Sequence, residues 1–269
     1  MYASTLIVMG SLLLIVGTVV VKGIPAMNLD MIVKAPEGGF YLGGKGGVLN
    51  AIVGSLLVAV GASGLAVAFG LPVALYMNVH STRRSKRVRA VRMSLDVLCG
   101  VPSIVYGAFG FAIMLVLGLK ASLLAGIITV ALLVMPGMVR AMDEVIRLVP
   151  AELMEASYAV GANRLETAFK VVARQALPGI ISALLMAFGR GIGDAASVLF
   201  TTGFTDRVSC SLLEPVATLP LAIFFLLNTP LPEVQQRAYA SAFILTVMIL
   251  ALSLSARFLA SRYARHTVK

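Results

Sequence analysis

The chain has 269 residues, of which 59% are hydrophobic and only 13% are charged, with a mean hydropathy of +0.97. Soluble domains are usually about 45–50% apolar and about 25% charged, so this composition excludes an ordinary soluble protein and indicates an integral membrane protein. Two separated cysteines and two histidines offer no disulfide framework and no metal-binding cluster. A redox or metal enzyme is therefore not expected.

Six apolar stretches are long enough to cross a bilayer as helices, because about 20 apolar residues span the hydrocarbon core and lipid leaves no backbone group unpaired. The predicted spans cover residues 3–21, 48–77, 91–118, 121–141, 179–200 and 238–258. The first lacks the basic start and the cleavage pattern of a signal peptide, so we expect it to be retained. The sequence predicts an all-α polytopic membrane protein, one domain over 1–269 with its core at 48–258.

Basic residues set the predicted orientation, because loops rich in lysine and arginine stay on the cytoplasmic side. The stretch between the second and third spans holds six bases and no acid: Arg83, Arg84, Lys86, Arg87, Arg89 and Arg92. The C-terminal tail adds Arg257, Arg262, Arg265 and Lys269. Six spans then place both termini in the cytoplasm. This topology explains the net charge of +10 better than nucleic-acid binding does.

Two segments, 22–47 and 201–237, are expected on the external side. The second contains a 12-residue apolar run, Val216 to Leu227, which is too short to span. A re-entrant helix and an interfacial helix both remain open for it. In the first, residues 39–46 nearly match a phosphate-binding P-loop, but Gly46 replaces the Ser or Thr that binds magnesium, and no buried strand precedes it. ATP hydrolysis is therefore expected on another chain.

The longest predicted cytoplasmic loop, 142–178, balances acids against bases. Pro150 and Gly161 bracket a predicted short helix. Asn163 and Glu166 have the spacing of a capping box, which predicts a second helix. Its apolar face consists of Leu165, Ala168, Phe169, Val172 and Ala176. An exposed amphipathic helix is a common recognition element, so the loop is a candidate docking site, with packing against neighbouring helices as the alternative.

The run Glu155-Ala156-Ser157, followed by Gly161, resembles the EAA loop of bacterial ABC importer permeases, which in that family inserts into a cleft on the ATP-hydrolysing subunit. The chain departs from the family pattern after it, since Ala173-Arg174 stands where a Leu-Pro pair is common. The exact end of the docking helix therefore stays open. The resemblance implies these ATPase-coupling residues: Glu155, Ala156, Ser157, Gly161, Leu165 and Phe169.

The resemblance extends over most of the chain and narrows to phosphate permeases of the PstA type. The stretch 46–55, Gly-Gly-Val-Leu-Asn-Ala-Ile-Val-Gly-Ser, is similar to the entry to that family's second helix. The stretch 100–107, Gly-Val-Pro-Ser-Ile-Val-Tyr-Gly, looks like its third-helix signature. Residues 217–220 and 232–233 also resemble PstA more than its partner PstC.

This resemblance implies the type I ABC importer permease fold and a role in ATP-driven phosphate import across the bacterial inner membrane. The implied partners are a PstC-like second permease, a PstB-like ATPase and a PstS-like extracytoplasmic binding protein. Permeases for sulfate or molybdate share the docking loop and are the first alternative. A self-sufficient channel or secondary carrier is the second, and it would usually show an inverted internal repeat, which the sequence lacks.

Two charged residues, Arg190 and Asp194, lie inside the fifth predicted span, where four-residue spacing would place them on one helix face. Arg190 is about 16 Å along a helix that starts at Pro178–Gly179, at about 1.5 Å per residue. A charge at that depth costs at least about 2.5–3.5 kcal/mol and is a functional candidate; an internal ion pair is the alternative. Gly189 and Gly193 repeat the spacing and would admit a neighbouring helix.

The segment 189–196 resembles a phosphate-permease motif in which an arginine and an acid are implicated in substrate passage, with aspartate here where glutamate is usual. Arg190 is expected to supply positive charge to the anion, since a guanidinium suits tetrahedral oxyanions, and Asp194 is expected to tune it.

The Gly100-Val101-Pro102-Ser103 sequence interrupts the third predicted span. Backbone groups freed inside a membrane must be satisfied by protein or by a water-lined cavity. Ser103 at the start of a half-helix is therefore a third candidate for the substrate path, and a kink that only shapes packing is the alternative. Asp96, one turn earlier, is expected to pair with a basic neighbour such as Arg92.

Overall fold

The computed structural model describes residues 2–37, 46–81 and 85–264, and this part of the chain is almost entirely helical, which confirms the predicted all-α class. The helices are α1 (Tyr2–Gly23), α2 (Leu29–Val33), α3 (Leu49–Leu75), α4 (Lys86–Cys99), α5 (Ser103–Val116), α6 (Leu123–Arg147), α7 (Ala151–Ala159), α8 (Arg164–Glu166), α9 (Ala173–Gln175), α10 (Leu177–Gly193), α11 (Leu219–Leu227) and α12 (Pro232–Ala264). Two π-helical segments, Tyr76–His80 and Thr167–Val172, follow α3 and α8. Most of the P-loop-like stretch lies outside the described residues, as do four of the bases used for topology: Arg83, Arg84, Arg265 and Lys269.

Four helical stretches of the described residues are each long and apolar enough to cross a membrane: Tyr2–Ala26, Leu49–His80, Leu123–Arg147 and Pro232–Ser255. Two further pairs of helices meet the same criterion together, but each pair is bent at a short break. The angle is 98° between α4 and α5, and 76° between Arg164–Gln175 and α10. The described residues therefore provide four to six candidate spans, and the upper figure matches the six predicted from hydropathy.

The predicted span 91–118 is not one continuous helix. Pro102 offers no backbone N–H and disfavours helical geometry at the residue before it, and its own backbone is extended at φ −59° and ψ 143°. The Val101 amide ends the first half by donating to the Leu98 carbonyl at 3.1 Å. The Tyr106 hydroxyl donates to that same carbonyl at 3.0 Å, so one side chain of α5 braces the bend.

The predicted span 179–200 ends early, because α10 stops at Gly193. Its 17 residues give a length of about 26 Å, against about 30 Å for the hydrocarbon core. The chain continues through turns in which the Thr201 and Thr202 amides both donate to the Val198 carbonyl, at 3.1 and 3.2 Å. Non-helical backbone is tolerated at membrane depth when it is buried and internally bonded, as here.

The centre of the bundle is formed by α3 and α6, with α10 packed across both. Its main core combines apolar residues from these helices: Val58, Ala62 and Ala66 on α3, and Val130, Val134 and Met138 on α6. A second core joins the start of α3 to α11 and α12. In contrast, α1 packs mainly on α12 and leaves its apolar surface exposed.

The short apolar run between Val216 and Leu227 forms α11, and five of its nine residues are buried. Its first amide, that of Leu219, donates to the Ser55 hydroxyl of α3 at 2.7 Å. A side chain at Gly54 would collide with the Ala217 carbonyl, so the two segments approach at backbone distance. The run is thus anchored on α3 at its start, while Phe224 and Leu227 remain exposed on α11.

Candidate functional site

Arg190 lies one turn before the end of α10, and its side chain is exposed. Its Nη1 atom lies beside Gly137 on α6, at 3.9 Å from the position that a Cβ atom would take there. Among the residues that the structure describes, no carboxylate lies within ion-pair distance of Arg190. The internal ion pair that was the alternative is therefore absent from this part of the chain.

Asp194 does not share a helix face with Arg190, because the helix ends one residue earlier. Asp194 is the C-cap residue, with an extended backbone at φ −84° and ψ 123°. Its carboxylate accepts a hydrogen bond of 2.7 Å from the Ser197 amide. Asp194 thereby holds a turn that carries the fully buried hydroxyl groups of Ser197, Thr201 and Thr202.

The glycines of α10 face different surroundings. Gly191 packs on α6, since a Cβ atom there would lie 3.1 Å from Val130 Cγ1. Gly193 lies near Ile249 of α12, at 3.7 Å by the same measure, whereas Gly189 has nothing within 4 Å. Of these three glycines, Gly191 therefore lies nearest to a neighbouring helix, and Gly189 faces open space beside Arg190.

Ser103 is the first residue of α5 and is half-buried. One turn later, the hydroxyl of Tyr106 lies within electrostatic range of Arg190. Gly107 lets α5 cross the turn after α10, since a Cβ atom there would lie only 2.8 Å from the Ala196 carbonyl oxygen. The fold thus brings the start of α5 next to the end of α10. Sequence reasoning gave Tyr106 no role, although a hydroxyl one turn past a helix break was a usable signal.

The loop 142–178 has the helix boundaries that its sequence predicts, with one shift. Pro150 is the N-cap of α7 and not its first helical residue, and Gly161 is left-handed at φ +88° as expected. The capping box is present, because Asn163 Oδ1 accepts from the Glu166 amide at 2.9 Å and Glu166 Oε2 accepts from the Asn163 amide at 3.1 Å. The Asn163 N–H, and after it Lys170, lower the pKa of the Glu166 carboxyl from its ordinary 4.5.

The predicted coupling residues differ in exposure. Glu155 and Ala156 are exposed on α7, whereas Ser157 is buried and its Oγ lies 2.9 Å from Thr167 Oγ1. This hydrogen bond fixes α7 to the segment beyond Gly161. The loop therefore presents two of its EAA-like residues outward and uses the third to hold its own shape.

The predicted apolar face beyond Gly161 splits in two. Ala168, Val172 and Ala176 are buried in the main core, but Leu165 and Phe169 remain 65% and 48% exposed. A π-helix closes i→i+5 hydrogen bonds, so the segment Thr167–Val172 does not keep the 3.6-residue period on which the single face was predicted. The two exposed side chains line an apolar groove of about 510 Å³ beside the end of α3 and the start of α4.

A second charged cluster lies at the C-terminal end of α6 and was missed from sequence. Asp143 is completely buried and accepts from Arg92 Nε at 2.8 Å and from Arg92 Nη2 at 2.9 Å. Asn78 Nδ2 donates to the same carboxylate at 2.8 Å. The predicted pairing of Asp96 with Arg92 is therefore wrong, since Asp96 pairs with Arg140 at 3.2 Å. The predicted span ended at residue 141, which left Asp143 in the predicted loop, whereas α6 continues to Arg147 and buries Asp143 on its inner face.

Comparison with known proteins gives consistent matches. A family model described as binding-protein-dependent transport system inner membrane component matches residues 66–269. The phosphate transport system permease protein PstA 1 of Mycobacterium tuberculosis (strain ATCC 25618 / H37Rv) is 38% identical, covering 82% of this chain and 72% of that protein. The PstA protein of Xylella fastidiosa (strain 9a5c) is 34% identical over 91% and 84% of the two chains, and that of Mycobacterium leprae is 34% identical over 97% and 87%.

Solved structures resemble the fold at lower sequence identity. A chain of the MetNI methionine ABC transporter, in an inward-facing conformation, superposes with a TM-score of 0.65 at 17% identity and covers 80% of this chain and 95% of that one. A chain of an amino acid ABC transporter gives 0.59 at 20% identity, with coverage of 80% and 92%. The helical architecture is therefore one found in ABC transporters.

Proposed function

Because this chain belongs to the family of binding-protein-dependent transport system inner membrane components, and within it to the PstA phosphate transport system permeases, we propose that it is a permease subunit of an ATP-driven importer of inorganic phosphate. The observation that carries the proposal is the Arg190 side chain, which lies near the end of a candidate membrane helix without a carboxylate partner among the described residues.

A guanidinium at membrane depth is costly unless something compensates its charge. With no carboxylate within ion-pair distance in the described chain, the charge of Arg190 is available to an anion, and its planar fork suits the oxygens of a tetrahedral oxyanion. Asp194 holds the adjacent turn through the Ser197 amide and could accept a hydrogen bond from protonated phosphate, which fully ionised sulfate cannot offer. Ser103 would supply a further hydroxyl at the start of α5.

One chain provides only part of a path around Arg190. The side chain is exposed, and Gly189 beside it faces open space. A second permease, PstC-like, would cover this surface and form the path together with the present chain. Alternating access between the two subunits would then expose Arg190 to either side in turn.

The loop around α7 would receive a separate ATPase subunit, PstB-like, so that this chain itself hydrolyses no ATP. Glu155 and Ala156 are exposed for that contact, Leu165 and Phe169 line the adjacent groove, and Ser157 and Gly161 set the loop's shape. An extracytoplasmic phosphate-binding protein, PstS-like, would deliver the anion on the opposite side. Both termini would be cytoplasmic in a bacterial inner membrane.

The test is ATP-dependent uptake of radiolabelled phosphate by vesicles that contain this chain with its co-purifying partners, in the presence of excess unlabelled sulfate and molybdate. Uptake that requires ATP and resists both competitors is the expected result. Uptake of sulfate or molybdate without phosphate uptake would support a permease role but would reject phosphate as the substrate. Phosphate movement without ATP would favour a channel or carrier and reject the proposed coupling.

A further inference from the structure

Three side chains from three helical segments meet at Asp143, and we name this group of Asn78, Arg92 and Asp143 the clamp. The carboxylate is completely buried, and the Arg92 side chain is 13% exposed. Arg92 binds both carboxylate oxygens in a two-pronged arrangement, at 2.8 and 2.9 Å. Such paired, charge-assisted hydrogen bonds fix both distance and orientation, so α4 and α6 are held in one relative position.

The third member of the clamp connects it to the coupling loop. Asn78 lies in the π-helical segment that ends α3, and it donates to Asp143 Oδ1 at 2.8 Å. Two residues later, the His80 carbonyl accepts from Arg164 Nη1 at 3.1 Å. Arg164 is the first residue of α8, directly after the capping residue Asn163. A shift of the loop therefore pulls on the same short segment that holds Asn78.

The clamp also connects to the surroundings of Arg190. Asp143 and Gly137 lie on the same helix, α6, six residues apart, which corresponds to about 9 Å along the axis. Gly137 is the residue that faces Arg190 Nη1. On the other side of the clamp, Arg92 belongs to α4, whose far end meets α5 at the bend that Tyr106 braces. The two helices beside Arg190 are α6, which carries Asp143, and α5, which follows α4 and its Arg92. The clamp therefore holds α6 directly and α5 through α4.

One atom of the clamp is left unsatisfied. Asn78 Oδ1 is buried and has no hydrogen-bond partner, although its amide nitrogen also bonds the Ala74 carbonyl at 2.9 Å. A buried acceptor without a partner is costly. Short π-helical segments inside longer helices are frequent at functional positions. The unpaired acceptor therefore lies in the segment that joins α3 to the loop.

We propose that the clamp passes movement of the cytoplasmic loop to the helices beside Arg190, so that Asn78, Arg92 and Asp143 are positioning residues for ATP-driven transport. The inference rests on the proposed function in one respect only, that an ATPase moves the loop. It does not depend on which anion is carried. Without the clamp, ATP hydrolysis continues while the surroundings of Arg190 no longer follow the nucleotide state.

The experiment follows the open position Gly189 in the complete complex. The two native cysteines, Cys99 and Cys210, are replaced by alanine and serine, and Gly189→Cys supplies a single thiol beside Arg190. The rate of its labelling by a soluble maleimide is measured without nucleotide and with ATP plus vanadate. ATP hydrolysis is measured on the same samples, so that a loss of coupling is distinguished from a loss of assembly.

The parent is expected to change its labelling rate between the two states by at least about fivefold, a usual size for coupling between sites. Asp143→Asn keeps the shape of the side chain and removes its charge, and it is expected to abolish most of that change while hydrolysis persists. Asp30→Asn is the control, because Asp30 is an exposed acid whose partner is Lys34, whereas the partner of Asp96, Arg140, also lies 3.8 Å from Asp143; the control is expected to behave as the parent does. Arg92→Lys, which keeps the charge but loses the two-pronged contact, is expected to show an intermediate change.

An unaltered nucleotide response in Asp143→Asn would overturn the proposal, as would a parent that shows no response. If Asp143→Asn does not assemble, the labelling response of Arg92→Lys is the test: a reduced response supports the proposal, and an unaltered response overturns it. Failure of both variants to assemble would assign the clamp to stability alone and would also overturn it. Phosphate uptake by the parent is a separate measurement, so rejection of phosphate as substrate would leave the labelling result interpretable.

Discussion

Two charged side chains among the described residues, Asp143 and Arg190, have opposite surroundings. Asp143 is completely enclosed and accepts three hydrogen bonds from its own chain. Arg190 is exposed and has no carboxylate partner within the described residues. An ionised group in a low-dielectric environment needs an opposite charge or hydrogen-bond donors to offset its lost hydration. Asp143 finds both within its own chain. Arg190 has no such partner among the described residues, so its charge is available to a group from elsewhere.

The largest expected effect is a loss of stability when Asp143 is substituted. Asp143→Ala leaves the Arg92 guanidinium buried without its partner, which should destabilise the protein by about 3–5 kcal/mol. Asp96→Ala removes an exposed pair and should change stability by less than about 1 kcal/mol. The measurement is reversible unfolding of the purified protein in mixed micelles. Equal effects of the two substitutions would contradict the distinction between the sites.

The second expected effect is a loss of phosphate transport when Arg190 is substituted. Arg190→Gln should lower phosphate uptake by about 100-fold, the usual consequence of removing one charge-stabilising donor, while the complex still assembles. Its stability should not fall, because no internal ion pair is lost. Arg190→Lys, which keeps the positive charge but loses the planar guanidinium with its paired N–H donors, should retain more uptake than Arg190→Gln. Normal uptake by an assembled Arg190→Gln complex would reject the role of Arg190.

The same contrast can be tested with two glycines of one helix. A side chain at Gly179 would collide with Val145 of α6, near Asp143, whereas Gly189 has nothing within 4 Å. Gly179→Ala should destabilise the chain by about 1–3 kcal/mol through overpacking. Gly189→Ala should stabilise it by up to about 1 kcal/mol through helix propensity. Thermal unfolding of both variants checks the signs, and destabilisation by Gly189→Ala would show that its surroundings are closed.

The smallest expected effect is a local loss of stability in the loop 142–178 when its capping residue Asn163 is substituted. Asn163→Ala removes a capping residue and should cost about 1 kcal/mol of local stability, seen as faster amide exchange at residues 164–167. The pKa of Glu166 is lowered in the folded loop, so its contribution is present above pH 4.5 and is lost as the pH falls through the lowered value. Protection of these amides should therefore be the same at pH 6 and pH 8, and a loss between those values would contradict the capping role.

Local sequence signals predicted the conformation of the loop 142–178 well. The capping box of Asn163 and Glu166 and the left-handed Gly161 depend on neighbouring residues alone, and each was found as expected. The apolar face beyond them was only partly correct, because the π-helix changes the period there. That segment packs on α7 and on the end of α3, and such a contact is not encoded at short range.

Charge partners were predicted less well than helices. The sequence suggested Arg92 for Asp96, from proximity along the chain, but Arg92 binds Asp143, which is 51 residues away. It also placed Arg190 and Asp194 on one face, which assumed that the helix continues past Gly193. Both errors have one cause, since hydrogen bonds between distant segments decide where a polar side chain points and where a helix ends.

The sequence by itself determined the class of this protein, the positions of most of its helices and the shape of its cytoplasmic loop, because hydrophobicity over about 20 residues and capping chemistry act locally. Only the tertiary structure decided that Asp143 is paired and Arg190 is not. That difference depends on which helices cross and how closely. Helix crossing is a property of the packed bundle, in which α3, α4 and α6 enclose one charge and α10 leaves the other exposed.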